Sequence, residues 1–84
     1  MTFGNWLRSK RIKQRLSQTE VGKILNLHRQ CIWNWENDRS SVPLDRTYKL
    51  SRIYDIDEDT MLRKVIESKL VRSRDKMLRG RGLK

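Results

Sequence analysis

His28 and Cys31 are the single histidine and the single cysteine of this chain, and they stand three residues apart. On a helix that spacing puts both on one face, so two chemistries come to mind: metal ligation and an activated thiol. Neither is sustained. Two ligands do not complete a zinc site, and no others lie nearby. A thiol nucleophile needs a base oriented by a third group, and no acidic orienter is evident. There is no glycine-rich loop of the kind that cradles a phosphate. The chain is read as a non-enzyme with no metal and no cofactor, and Cys31 as a small helix filler.

The abundant chemistry is cationic. Lys and Arg number 20 against 10 Asp and Glu, a net charge of +10 on 84 residues. Self-repulsion of that size in a small protein suggests a polyanionic partner, with nucleic acid first and an acidic membrane surface second. The charge is uneven. Residues 1–62 hold 11 basic and 8 acidic side chains, whereas residues 63–84 hold 9 and 2. Apolar residues run the other way, which predicts a compact domain over 1–62 and a basic C-terminal extension over 63–84, part helical and part frayed. No run of about 18 apolar residues could span a membrane. The N-terminus MTFGNWLRSK lacks the apolar core of a secretory signal. A single cysteine forms no intrachain disulfide. A cytoplasmic location follows as the expectation.

Hydrophobic residues make up 36% of the chain, enough for one small core that is too small to enclose a typical substrate pocket. With no alanine present, helices are read from periodicity and caps. The first spans about Thr2 to Arg15, with Phe3, Leu7, Arg11 and the Lys10 stem on one face. The second starts at Ser17, where Ser17-Gln18-Thr19-Glu20 forms a capping box, and buries Val21, Ile24 and Leu25. Asn26 interrupts it and tolerates a left-handed backbone. A third helix, about His28 to Asn37, turns Ile32 and Trp35 inward. After a loop over Asp38–Val42, Pro43 suits a helix start. The fourth, about Leu44 to Tyr54, buries Leu50, Ile53 and either Tyr48 or Thr47. The fifth is capped by Asp57 and carries Met61, Leu62, Val65, Ile66 and Leu70, to about Met77. No segment alternates with period two.

The turn around Asn26 is so short that the second and third helices must cross steeply and approach closely near Gly22, where any side chain beyond Ala would part them. A capped helix, a small residue, a left-handed turn and a second helix make a helix-turn-helix signal.

On these residues the stretch LRSKRIKQRLSQTEVGKILNLHRQCIWNWENDR resembles the phage repressor and Cro family of DNA-binding domains (XRE-like, Cro/CI-type). Its most specific parts are Ser17-Gln18, Val21-Gly22, Leu25-Asn26-Leu27, Ile32 and Trp35-Glu36-Asn37. The resemblance covers about residues 3–62 and implies an all-α, five-helix lambda-repressor-like domain. It also implies double-stranded DNA as partner, with His28, Arg29, Gln30, Trp33 and Asn34 at the base-reading positions. Arg29 suits guanine O6/N7, and Gln30 or Asn34 suits adenine N6/N7. Gln18, Asn37 and Arg39 stand at phosphate-contacting positions. Gly22 and Asn26 shape the turn, and Arg11 with Glu36 matches a salt bridge of some members. Three positions depart from the family: Arg15 replaces a usual Gly, His28 a usual Ser or Thr cap, and Trp33 a small or polar residue. Trp33 is expected half exposed, either at a thymine methyl or against the second helix, and Trp6 as an exposed aromatic or a dimer contact.

A recognition helix reads few bases, so a homodimer on an inverted repeat is expected. Val65, Ile66 and Leu70, extended by Met77 and Leu78, form the candidate dimer stripe, and Lys69, Arg72, Arg74, Lys76, Arg79 and Arg81 candidate phosphate contacts. The implied function is a transcriptional repressor from a phage or bacterium, active in the cytoplasm of a bacterial host. The alternative is an antitoxin-type or RNA-polymerase-binding interaction protein; RNA binding by the tail, with its RGG-like Arg79-Gly80-Arg81-Gly82, is a third.

Overall fold

The computed structural model describes residues 1–82, with side chains through Arg74. Five helices follow in order: α1 (Phe3–Lys13), α2 (Gln18–Leu25), α3 (Arg29–Glu36), α4 (Leu44–Ile53) and α5 (Glu58–Gly82). Among the described residues there is no strand.

Each start has a local cause. Thr2 Oγ1 accepts from Asn5 N (3.1 Å) and caps α1. Ser17 Oγ accepts from Glu20 N (3.0 Å) while Glu20 accepts from Ser17 N (2.9 Å), the full capping box. That bond lowers the Glu20 pKa. The cap is therefore strongest with Glu20 ionised and weakens as acid protonates it. Asp57 accepts from Thr60 N at the start of α5 (3.2 Å). α1 ends through Arg15, whose φ of 58° is left-handed. The chain thus uses the conformation that glycine would take there and accepts a strain of about 1 kcal/mol.

One core forms where the helices meet: Leu7, Val21, Leu25, Ile32, Trp35, Val42, Leu50, Tyr54, Met61 and Val65. Several expectations need correction. Ile24 is half exposed, because Val21, Gly22 and Leu25 define the inward face of α2 and Ile24 falls at its edge. On α4 the buried position is Thr47, with Leu50 and Ser51, and Tyr48 points out. Val42 and Tyr54, read from sequence as loop and helix end, are fully buried.

As the sequence predicts, α5 passes residue 62 without a break; it continues five residues beyond the expected Met77, to Gly82. The basic extension is thus the same helix as the last core element, and the core itself reaches Val65. The segment from Arg79, expected to fray, is helical to Gly82; Leu83 and Lys84 lie outside the described residues. Val65 belongs to the chain's own core at 0% exposure and so leaves the candidate dimer stripe. Its place is taken by Leu62, four residues before Ile66 and eight before Leu70, all three exposed.

Two details yield tests. A Cβ on Gly4 would overlap the Glu36 carbonyl, so Gly4→Ala should cost about 1–3 kcal/mol in urea unfolding. The Tyr54 hydroxyl is buried without a hydrogen-bond partner. Tyr54→Phe removes an unsatisfied group and should leave stability within about 1 kcal/mol of wild type, or raise it.

Candidate nucleic-acid interface

α2 and α3 are joined by Asn26, Leu27 and His28. Asn26 adopts φ 57°, ψ 44°, which reverses the chain in so few residues. Leu27 N donates to the Gly22 carbonyl (2.8 Å). A Cβ on Gly22 would stand 2.7 Å from the Leu27 carbonyl oxygen, so the helix pair closes only over a glycine. His28 supplies the cap: its Nδ1 accepts from Gln30 N (3.1 Å). The imidazole thus does the work a Ser or Thr oxygen would do.

The inward face of α3 presents Ile32, Trp35 and Glu36. Its outward face presents Arg29 and Gln30 exposed, with Trp33 and Asn34 half-buried beside them. Gln30 Nε2 donates to Asn34 Oδ1 (3.3 Å), so the two amides share one orientation. The Arg39 guanidinium lies 5.9 Å from the Trp33 ring centre, a cation–π distance. Asn37 Nδ2 donates to the Trp33 carbonyl (2.9 Å) at the end of α3.

Below this face lies a charge cluster. Arg11 Nε donates to Glu36 Oε2 (2.6 Å) and Arg11 Nη2 to Glu36 Oε1 (3.0 Å), a two-pronged pair. Its side chains are 11% and 1% exposed, so the pair is shielded from water. Arg11 Nη1 also donates to the Leu16 carbonyl (2.8 Å). The hydrogen bond to Glu36 raises the Arg11 pKa against the opposing effect of burial. Gln18 Nε2 donates to the same Glu36 Oε1 (3.0 Å), and Gln18 Oε1 lies 3.4 Å from Arg29 Nη1. The Tyr54 pKa is raised, first by burial and then by the Glu36 charge.

These elements surround an open cleft of about 600 Å³ that Gln18, Arg29, Trp33 and Asn37 line together. Asn5 and Arg8 of α1 line it too, and sequence reasoning missed both. Their three-residue spacing on the polar side of α1 was the available signal. Asp38 was read only as a turn; it has φ 56° and its Oδ1 accepts from Gly4 N (2.9 Å), tying the end of α3 to the start of α1. Trp6 is half-buried against Phe3 with Lys10 and Lys64 within 5.7 and 5.5 Å of its ring centre. Met77, Leu78, Lys76, Arg79 and Arg81 have side chains outside the described residues. Among the described residues no cluster of His, Cys, Asp and Glu could hold a metal, and no helix is long and apolar enough to cross a membrane.

A short capped helix set across a left-handed turn, with polar side chains outward, defines a helix-turn-helix DNA-binding domain. A family model described as helix-turn-helix matches residues 7–61, and the chain belongs to that family, of the Cro/CI-like XRE type. It is a family of DNA-binding transcriptional regulators. No curated protein and no solved structure is detectably similar to the chain.

The buried pair is testable apart from DNA. Glu36→Leu strands the Arg11 cation and should cost about 3–5 kcal/mol in urea unfolding. Arg11→Met combined with Glu36→Leu should recover more than half of that loss. Recovery of less would show that the pair contributes net stability rather than mutual compensation.

Proposed function

We propose that this protein is a sequence-specific transcriptional repressor that binds double-stranded DNA as a homodimer on an inverted-repeat operator. The observation that carries the reading is the outward face of α3. It groups Arg29, Gln30 and Asn34 beside His28 and Trp33, on a helix whose inward face is fixed by Ile32, Trp35 and Glu36. Arg29 offers a fork to guanine, and the paired amides of Gln30 and Asn34 suit an adenine edge. Trp33 presents its ring toward a thymine methyl. Gln18, Asn37 and Arg39 sit on the rim of this face and take phosphates, which set register without reading sequence. Repression follows from occupancy: the bound protein denies RNA polymerase its promoter, in the cytoplasm of a bacterial host.

One helix reads too few base pairs to select a site alone. A second copy joined along Leu62, Ile66 and Leu70 of α5 would place two recognition helices on half-sites about 34 Å apart. The interaction-protein reading leans on Trp6 and Trp33 as open aromatics. Both are half-buried beside cations, which favours the DNA reading.

Selection from a random duplex pool should return an inverted repeat at physiological salt; a pool that yields no motif would refute sequence-specific repression. On the selected site Arg29→Ala should cost about 1–3 kcal/mol and relax preference at one position in each half-site. Gln18→Ala should weaken all sequences alike. Sedimentation tests the dimer: Ile66→Lys with Leu70→Lys should yield monomers that retain the fold by circular dichroism. If the double variant sediments as the wild type does, the α5 stripe is not the interface.

A further inference from the structure

The segment that follows α3 is held from α5. Arg72 Nη1 donates to the Asp38 carbonyl (2.9 Å) and Arg72 Nη2 to the Arg39 carbonyl (3.2 Å). Three residues earlier on α5, Lys69 Nζ donates to Ser41 Oγ (3.2 Å). The register explains why. Met61, Val65, Ser68 and Arg72 follow one another at helical spacing, so Arg72 extends the core-facing stripe of α5 to where the apolar core has ended. There it meets the carbonyls of Asp38 and Arg39, in the segment just past the C-terminal end of α3. A guanidinium is a rigid fork that serves two acceptors at once; an ammonium is a point donor.

The held segment is the one that carries the rim of the proposed interface. Asn37 precedes it and Arg39 lies within it. Arg39 N donates to the Asn34 carbonyl (2.9 Å), and the Arg39 side chain lies over Trp33. Asp38 is in the strained left-handed region, so it keeps that conformation only while its neighbours hold it.

Resting on the proposed DNA-binding reading, we infer that Arg72 is a positioning residue for DNA binding. It fixes the Asp38–Ser41 segment so that Asn37 and Arg39 meet the phosphate backbone, and it acts through two carbonyls rather than by contact with DNA. The basic C-terminal helix thereby sets the affinity of an interface it does not itself form.

The test uses the full chain, a labelled mixed-sequence DNA duplex and fluorescence anisotropy, with circular dichroism as the check on folding. Arg72→Gln should weaken binding by about three- to tenfold, the range of one ordinary net hydrogen bond, because the bonds lost are exposed and act on DNA only through the segment. Arg72→Lys should lose nearly as much, because it keeps the charge but not the fork. In an Arg39→Gln background, Arg72→Gln should add a smaller loss than it causes alone, since one of the two contacts it positions is already gone. Amide exchange at residues 39–41 should accelerate in Arg72→Gln without DNA. Wild-type affinity in Arg72→Lys would show that charge alone matters and would overturn the inference. So would fully multiplicative losses in the double variant, or an Arg72→Gln chain that binds as wild type. A wild-type chain that binds no duplex would sink the proposed function and this inference together, whereas failure of the variants alone sinks only the inference.

Discussion

The arrangement turns on one carboxylate. Glu36 closes α3, and its two oxygens accept from Arg11 of α1 and from Gln18 at the first position of α2. Three helices are tied to one buried group. Apolar burial holds the core together but has no direction, and the buried apolar side chains leave room for helices to rotate against one another. A buried charge has direction, because an unpaired one costs several kcal/mol. The guanidinium fork meets the carboxylate in one geometry. That fixes the roll of α3 about its own axis, and with it the side chains that face outward.

The same constraint runs outward to the surface. Gln18 accepts from Arg29 through the oxygen that Glu36 does not engage. An unbroken polar path therefore leads from the buried Arg11 to Arg29, the first residue of α3. Close packing supports it at both ends of α3. Gly22 meets the backbone at Leu27 and Arg29, just before and at the start of the helix, and Gly4 meets the carbonyl of Glu36, its last residue. A helix of eight residues has little stability of its own. Here two glycine contacts, an imidazole cap and a buried ion pair hold it.

What the sequence disclosed depended on whether the cause was local. The capping box at Ser17, the left-handed Asn26 and the Pro43 start are local, and all three were readable. Tight approach at Gly22 was readable because the turn beside it is short. Gly4 was not, since its neighbour Glu36 is distant in sequence. The outward turn of Ile24 and Tyr48 follows from which neighbours surround each helix, and periodicity alone could not choose between adjacent apolar positions. Val65 illustrates the same limit. A stripe of apolar residues on a final helix looks alike whether it meets its own domain or a second copy. The site residues came from motif position; the spacing of Asn5 and Arg8 puts them on one side of α1, but only tertiary packing brings that side to the cleft and Asp38 to the start of α1.

The uneven charge takes on a different meaning once the side chains of α5 are followed to their partners. A basic segment read as a separate tail suggests loose phosphate contacts added to a finished domain. Among its described cations, however, Lys64 lies over Trp6, Lys69 donates to Ser41 and Arg72 donates to two carbonyls. All of these partners are neutral. An ion pair with a carboxylate would have cancelled the charge along with the freedom of the side chain; a bond to a carbonyl, a hydroxyl or a ring removes only the freedom. The cations thus brace the helix and the loop while their charge still contributes to the field around the protein. Positional order falls off with the hydrogen bonds, over a few ångströms, but the field reaches about a Debye length, near 8 Å at physiological salt. One set of side chains can therefore hold the segment after α3 at short range and attract a polyanion at longer range.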